Sequence, residues 1–320
     1  MQDPSRSSLG VRHELALELV RATEAAALAA ARLVGRGDEE RVHEAAAEAM
    51  RKSLEDSGLG GTVVVGSRND PVLPPGTVLA GGEPLFDFGL FPVEGAGQVA
   101  GGHADAVSLV VAAEPGGFAQ LPPIWYVEKI VAGPAARGAV ELEDPIADNL
   151  RRIAFARDSR VQDLTVAVLD RPRHKELVDE LAATGARIMM LEEGDIAAAV
   201  MAALPGSGID AALGVGGLHA TLAAASAIRC LGGAMQVRLW PRNEEERSLL
   251  GEDANRVYGV GELAPGADIT VAITGITGGQ LLPGVVFGGG YAESSSLLMS
   301  SRHATLRRIT TRHHTVGESS

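Results

Sequence analysis

From about residue 160 the chain alternates short apolar runs with runs of helical period, at a spacing that few folds accommodate. LTVAVLD (164–170) reads as a strand, and RHKELVDELAATG (173–185) as a helix ending on Gly185. RIMMLE (187–192) is a second strand, and GDIAAAVMAALPG (194–206) a helix stopped by Pro205-Gly206. IDAALGVGG (209–217) is a third strand, followed by an Ala-rich helix over 218–231. Neighbouring parallel strands need a long crossover between them, and a helix is its usual form. The alternation therefore predicts an α/β fold with a parallel sheet in this half.

The first half reads differently. Residues 11–34 and 39–56 are Ala- and Leu-rich and predict two helices, the second capped by Asp38. GTVVVG (61–66) and AVSLVVAA (106–113) predict strands. Between them, 69–105 holds many Pro and Gly residues with little periodicity, which suggests strands joined by loops. ADITVAITG (267–275) is a further strand, and SSLLMSS and ATLRRITTRHH are β-like runs near the end. No internal repeat is visible.

Composition narrows the functions. Hydrophobic residues make up 46% but aromatics only 3%, so the core must be built from Ala, Val, Leu and Ile. A net charge of -13 argues against a broad nucleic-acid surface, which needs clustered Lys and Arg. It leaves room for a local basic pocket. The one cysteine, Cys230, cannot form an intrachain disulfide and sits in an apolar helical pattern, where a small buried side chain is expected. MQDPSRSS lacks the apolar stretch of a signal peptide, and no apolar run is long enough to span a membrane; a cytoplasmic location is expected.

In open α/β sheets, ligands bind outside the carboxyl ends of the strands. Three such ends carry polar or glycine-rich loops: Arg171-Pro172-Arg173-His174, Glu193-Gly194-Asp195 and Gly214-Val215-Gly216-Gly217. Arginine forks suit phosphate oxygens, and a glycine-rich helix start offers backbone N–H groups to an anion. Each loop alone also fits a plainer reading: a solvated helix start, a turn with its N-cap, or turn glycines. Their shared location favours a pocket for a phosphorylated sugar.

Several segments, in order, carry a family resemblance: TEAAALAAARLVGRGD (23–38), WYVEKIVAGP (125–134), PIADNLR (145–151), RPRH (171–174), EGDIAAA (193–199), GVGG (214–217), TGIT (274–277) and LRRI (306–309). On these the chain resembles the class II fructose-1,6-bisphosphatases, the bacterial type within the lithium-sensitive sugar phosphatase superfamily. The resemblance implies a layered αβαβα sandwich, with an N-terminal α+β part over 11–157 and a C-terminal parallel-sheet part over 158–310. Residues 1–10 are expected to be disordered, and 311–320 to form a tail. It also implies a phosphorylated sugar as ligand, Mn²⁺ or Mg²⁺ as cofactor, and a homo-oligomer. Tyr126, Arg171, Pro172, Arg173, Glu193, Gly194, Asp195 and Gly217 match positions that contact the sugar bisphosphate, as do Glu94 and Gly95.

The family's metal ligands are mostly replaced. His43, Ser67, Phe91 and Ala220 stand where the family has carboxylates, and Glu94 alone is retained as the family acid. Ala96 replaces the threonine that helps activate water. Hard divalent cations need anionic oxygen ligands, so Glu94 and His43 make a poor set. Asp70 and Asp87 are the nearby acids from which it would have to be rebuilt. The resemblance therefore splits into two expectations. One is a catalytically impaired protein that keeps a sugar-phosphate pocket in a binding or regulatory role, paired with an active paralogue. The other is an active metal-dependent phosphatase with rebuilt ligation.

Overall fold

The computed structural model describes residues 4–314. The chain opens with α1 (Pro4–Ala31), α2 (Glu39–Asp56), β1 (Leu59–Gly66), β2 (Val78–Leu79), β3 (Gly82–Glu94), α3 (Ala96–Gly101) and β4 (Val107–Ala113). It continues through β5 (Tyr126–Ala132), α4 (Ile146–Ala156), β6 (Thr165–Leu169), α5 (Lys175–Thr184), β7 (Arg187–Leu191), α6 (Asp195–Ala203) and β8 (Ala211–Gly217). Then follow α7 (Leu218–Leu231), β9 (Ala234–Trp240), α8 (Glu244–Leu250), β10 (Val257–Gly259) and α9 (Val260–Leu263). It ends with β11 (Ile269–Gly275), β12 (Val286–Gly288), β13 (Tyr291–Ser300) and β14 (Thr305–His314).

These elements form two compact units of α/β character. One runs up to Gly116 and resumes at Gly266; the other is Gly117–Pro265. The boundary expected at 157/158 falls inside the second unit, after α4. The reason is in the pairing: β11 lies between β4 and β13, so the C-terminal strands complete the sheet begun at the N-terminus.

In the first unit the sheet order is β12-β13-β11-β4-β3-β1-β2, with β14 on β13. Only β1 and β3 pair in parallel. Helices α1 and α2 cover one face. Their inward positions are small or flexible: Ala22, Ala26 and Ala30 from α1, Ala46 and Met50 from α2. They pack on Val63, Phe88, Leu90, Val110, Ala272 and Leu298 of the sheet. Spacings of three and four residues put these helical side chains on one stripe. A buried hydroxyl chain ties α1 to the sheet: Thr23 Oγ1 is 2.7 Å from Thr274 Oγ1, which is 2.8 Å from Ser296 Oγ. Asp38 caps α2 as expected, accepting from the Arg41 N–H at 3.0 Å.

Helix α1 begins at Pro4 and not at residue 11, so the expected disorder of 1–10 does not hold for residues 4–10; proline is well tolerated in a first helical turn. Likewise β14 runs to His314, because its whole length pairs with β13. Residues 1–3 and 315–320, the rest of those two expectations, lie outside the described residues.

In the second unit the sheet order is β10-β9-β5-β8-β6-β7. The expected parallel pairing is found only among β7, β6 and β8; β5 is antiparallel to both β8 and β9. The chain leaves β6 for β7 on one side and returns through α6 to β8 on the other. Leu181 of α5 packs with Leu150 and Ile153 of α4 against Ile130, Val166 and Leu213. Helices α6 and α7 cover the opposite face, where Lys129 meets Asp195 and Thr221. This reversal of direction opens a crevice beyond the carboxyl ends of β6 and β8. Cys230 is buried on α7 as expected. Among the described residues no helix is long and apolar enough to cross a membrane.

Phe88 is fully buried beneath α1 and α2. Phe88→Ala should cost about 3–5 kcal/mol, read as a lowered urea midpoint for loss of helical signal. A change within about 0.5 kcal/mol would mean that this face is not the core of that unit.

Candidate functional site

The second unit gathers most of the expected ligand-contacting residues around the end of β8. His174 is buried and fully used: Nδ1–H donates to the Leu169 carbonyl at 2.7 Å, and Nε2 accepts from the Val215 N–H at 2.7 Å. That bonding fixes a neutral imidazole. Burial holds its pKa below the ordinary histidine value, assisted by the nearby cations Arg173 and Lys129, although the Leu169 bond and Asp195 oppose the shift. Gly214 is obligatory beside it: its φ is +123°, and a Cβ there would stand 2.9 Å from His174 Nε2.

Arg173 reaches the same backbone unit from the other direction. Its Nε and Nη2 donate to the Val215 carbonyl at 3.3 and 2.8 Å. Its guanidinium lies 5.0 Å from the centre of the Tyr126 ring, and Tyr126 meets Trp240 edge-on at 6.2 Å. Cation–π stacking and two hydrogen bonds hold the fork in place and leave Nη1 for a ligand. Tyr126 pairs in register with Gly217 across β5 and β8. Asp195 heads α6 after Gly194, which has a φ of 92°. Arg171 donates to the Asp170 carbonyl at 2.8 Å, and Pro172 begins the single helical turn that carries Arg173. Glu193 precedes Gly194 and is half-buried. Ala220 lies in the first turn of α7, 3.9 Å from where a Gly217 Cβ would stand.

The first unit holds the remaining positions. Glu94 ends β3, and Gly95 caps α3, whose first residue is Ala96; Ala96 packs against the apolar core. Phe91 is a half-buried strand residue opposite Leu109. Ser67 belongs to the turn after β1, with its carbonyl accepting from the Asp70 N–H at 3.2 Å. His43 on α2 lies 3.0 Å from Asp70 through Nε2 and Oδ2, and the Asp70 side chain is 1% exposed. Asp70 Oδ1 accepts from the Val72 and Leu73 N–H groups at 2.9 and 2.8 Å. Burial pushes this carboxyl up, but the bonds from His43, Leu73 and Val72 outweigh it and hold it below the ordinary carboxylate value. Asp70 is therefore an ionised loop anchor with both oxygens committed.

Asp87 is no closer to a rescue. It sits on the same strand as Glu94, seven residues earlier, which is roughly 23 Å of extended chain. Its Oδ2 accepts from the Gly116 N–H at 2.7 Å. Among the described residues no group of three or more His, Cys, Asp or Glu side chains comes together as a metal site.

Two contributors to the site were not singled out in the sequence. Lys129 is buried in β5 and donates to Asp195 Oδ2 at 2.5 Å. Its signal was a lone lysine inside the apolar run YVEKIVA. Trp240 ends β9, a strand without a clear period.

An arginine fork, a glycine-rich strand end and a carboxylate at a helix start are thus grouped at one end of an α/β sheet. The chain belongs to the class II fructose-1,6-bisphosphatase family: residues 13–313 match the family described as "Bacterial fructose-1,6-bisphosphatase, glpX-encoded". It is 35% identical over 324 aligned positions to fructose-1,6-bisphosphatase 1 class 2 of Escherichia coli, covering 95% of this chain and 96% of that protein. Fructose-1,6-bisphosphatase class 2 of Shigella flexneri is similar to the same extent, with identical coverage.

Two pH-linked outcomes follow. Asp70 has a folded pKa below its unfolded value of about 3.9, so its stabilisation is present above that pH and lost as pH falls through the folded value. Asp70→Asn should cost about 1–3 kcal/mol at pH 7, with a gap to the wild type that narrows as pH is taken below 4 in urea titrations. His174 also has a lowered pKa. Its stabilisation should be complete above about pH 6.5 and fade as pH drops through the folded value; His174→Ala should flatten that part of the stability profile.

Proposed function

We propose that this protein binds a phosphorylated sugar, with fructose 1,6-bisphosphate the first candidate, and that its own phosphatase chemistry is impaired. The single observation that carries the reading is the state of Asp70. It is the acid best placed in sequence to replace the carboxylate missing at Ser67, and it is sealed by His43 and two backbone N–H groups. Phe91 and Ala96 support the same reading, since neither offers a ligand oxygen or a hydroxyl. In family chemistry a divalent metal activates water and neutralises charge on phosphate oxygens. Glu94, the retained family acid, would then serve the sugar or the loop and not an ion.

On the binding side, Arg173 and Arg171 supply cationic forks for phosphate oxygens. Asp195, Glu193 and Gly194 supply acceptors and backbone for sugar hydroxyls, and Tyr126 and Gly217 line the strand ends. The role is then one of sensing or regulation, exercised as a homo-oligomer or alongside an active paralogue. The second reading, an active sugar-phosphate phosphatase with rebuilt metal ligation, draws its support from family membership over almost the whole chain.

The test pairs binding with turnover. Calorimetry in metal-free buffer should show fructose 1,6-bisphosphate binding, weakened at least about tenfold in Arg173→Ala. Phosphate release with Mn²⁺ or Mg²⁺ should stay at background. Metal-dependent release that Arg173→Ala abolishes would overturn the impaired reading in favour of the active one.

A further inference from the structure

We propose that Lys129 is a positioning residue: its buried ammonium fixes one oxygen of Asp195 so that the other is presented, charged and immobile, to a hydroxyl of the bound sugar phosphate. The inference rests on the sugar-phosphate reading of this pocket and assigns a role to a group outside it.

Lys129 lies on the face of β5 that carries Val127 and Val131, both fully buried. Its own side chain is 3% exposed. Moving an ammonium out of water costs several kcal/mol, and a well-packed apolar residue in such a place is often neutral or more stable. Core stability alone therefore gives no reason for a lysine. The ammonium makes two contacts, to Asp195 Oδ2 at 2.5 Å and to Thr221 Oγ1 at 3.4 Å. Both are polar atoms on helices α6 and α7, and Thr221 is itself fully buried.

The pair is asymmetric. The Asp195 side chain is 19% exposed, so the open end of the ion pair is the carboxylate. Asp195 Oδ1 makes no hydrogen bond among the described residues. The first turn of α6 places the positive end of a helix dipole beside this carboxylate. A carboxylate with one oxygen fixed and the other open is an acceptor for a hydroxyl donor. Arg173, tethered to the adjacent Val215, supplies the complementary cation for phosphate.

Gly216 gives an independent sign that the chain makes room for this pair. A Cβ at that position would overlap both Asp195 Oδ2 and Lys129 Nζ. Gly216 has no positive φ of the kind that demands glycine, in contrast to Gly214. Its lack of a side chain is explained by the ion pair behind it.

The experiment is a double-mutant cycle in fructose 1,6-bisphosphate affinity, measured by calorimetry on wild type, Lys129→Met, Asp195→Asn and the double variant. Lys129→Met should weaken binding about tenfold. The double variant should bind no more weakly than Asp195→Asn alone, because the lysine acts through the aspartate. Gly216→Ala, which keeps both charges and wedges them apart, should reproduce the loss and guards against a Lys129→Met protein that fails to fold. Unchanged affinity in either Lys129→Met or Gly216→Ala overturns the inference, even if unfolding midpoints fall, since that is a purely structural role. Losses that add in the double variant overturn it too. A folded wild type that binds no sugar bisphosphate overturns the pocket reading itself and the inference with it.

Discussion

The peptide group of Val215 is the fixed point on which the crevice of the second unit is built. Its N–H is held by His174 and its carbonyl by Arg173, so two side chains from the loop after β6 are locked onto the end of β8. Neither tether uses a side chain of β8. The glycines on either side are what allow this, Gly214 by admitting the imidazole and Gly216 by clearing the ground for Lys129 and Asp195. A strand end made of backbone can be approached from both faces at once. The Arg173 guanidinium and the Asp195 carboxylate are thus both placed by one short stretch of chain.

Polar side chains serve differently in the first unit. His43 and Asp70 spend their hydrogen-bonding capacity on joining α2 to the loop after β1, and that loop is further closed by the amides of Val72 and Leu73. A carboxylate used in this way stabilises a conformation and has little left for an ion. Where α2 carries an acid in the family, this chain has a donor suited to anchor a loop. Ser67 and Asp70 share one ordered turn after β1, and His43 of α2 is bonded to it through Asp70.

Much of this was legible in the sequence. The βα alternation placed β6 to β8 and their helices to within three residues, since periodicity and turn residues agree there. Asp38 as a cap and Cys230 as a buried side chain were readable from local pattern. The pairing direction of β5 was not, because nothing local distinguishes a parallel from an antiparallel buried strand. Nor was the split of the first unit, which depends on β11 reaching across to β4. In the site, the loops with Arg173, Asp195 and Gly217 could be read from their place at strand ends. Lys129 was hidden because its partner lies 66 residues further along the chain, beyond α4, β6, α5 and β7, and Asp70 because its commitment depends on a helix turn brought to it by tertiary packing.

The interrupted first unit also bears on how the chain is made. Strand β4, buried along its whole length in the finished fold, emerges with β3 on one side and nothing on the other. Its second partner, β11, arrives only after the whole of Gly117–Pro265 has been synthesised. An open apolar edge is a template for unwanted strand pairing, so this interval is the vulnerable stage of biogenesis. The second unit is contiguous and has its partners in hand early. The order of synthesis therefore lets the second unit form before the sheet of the first unit can close.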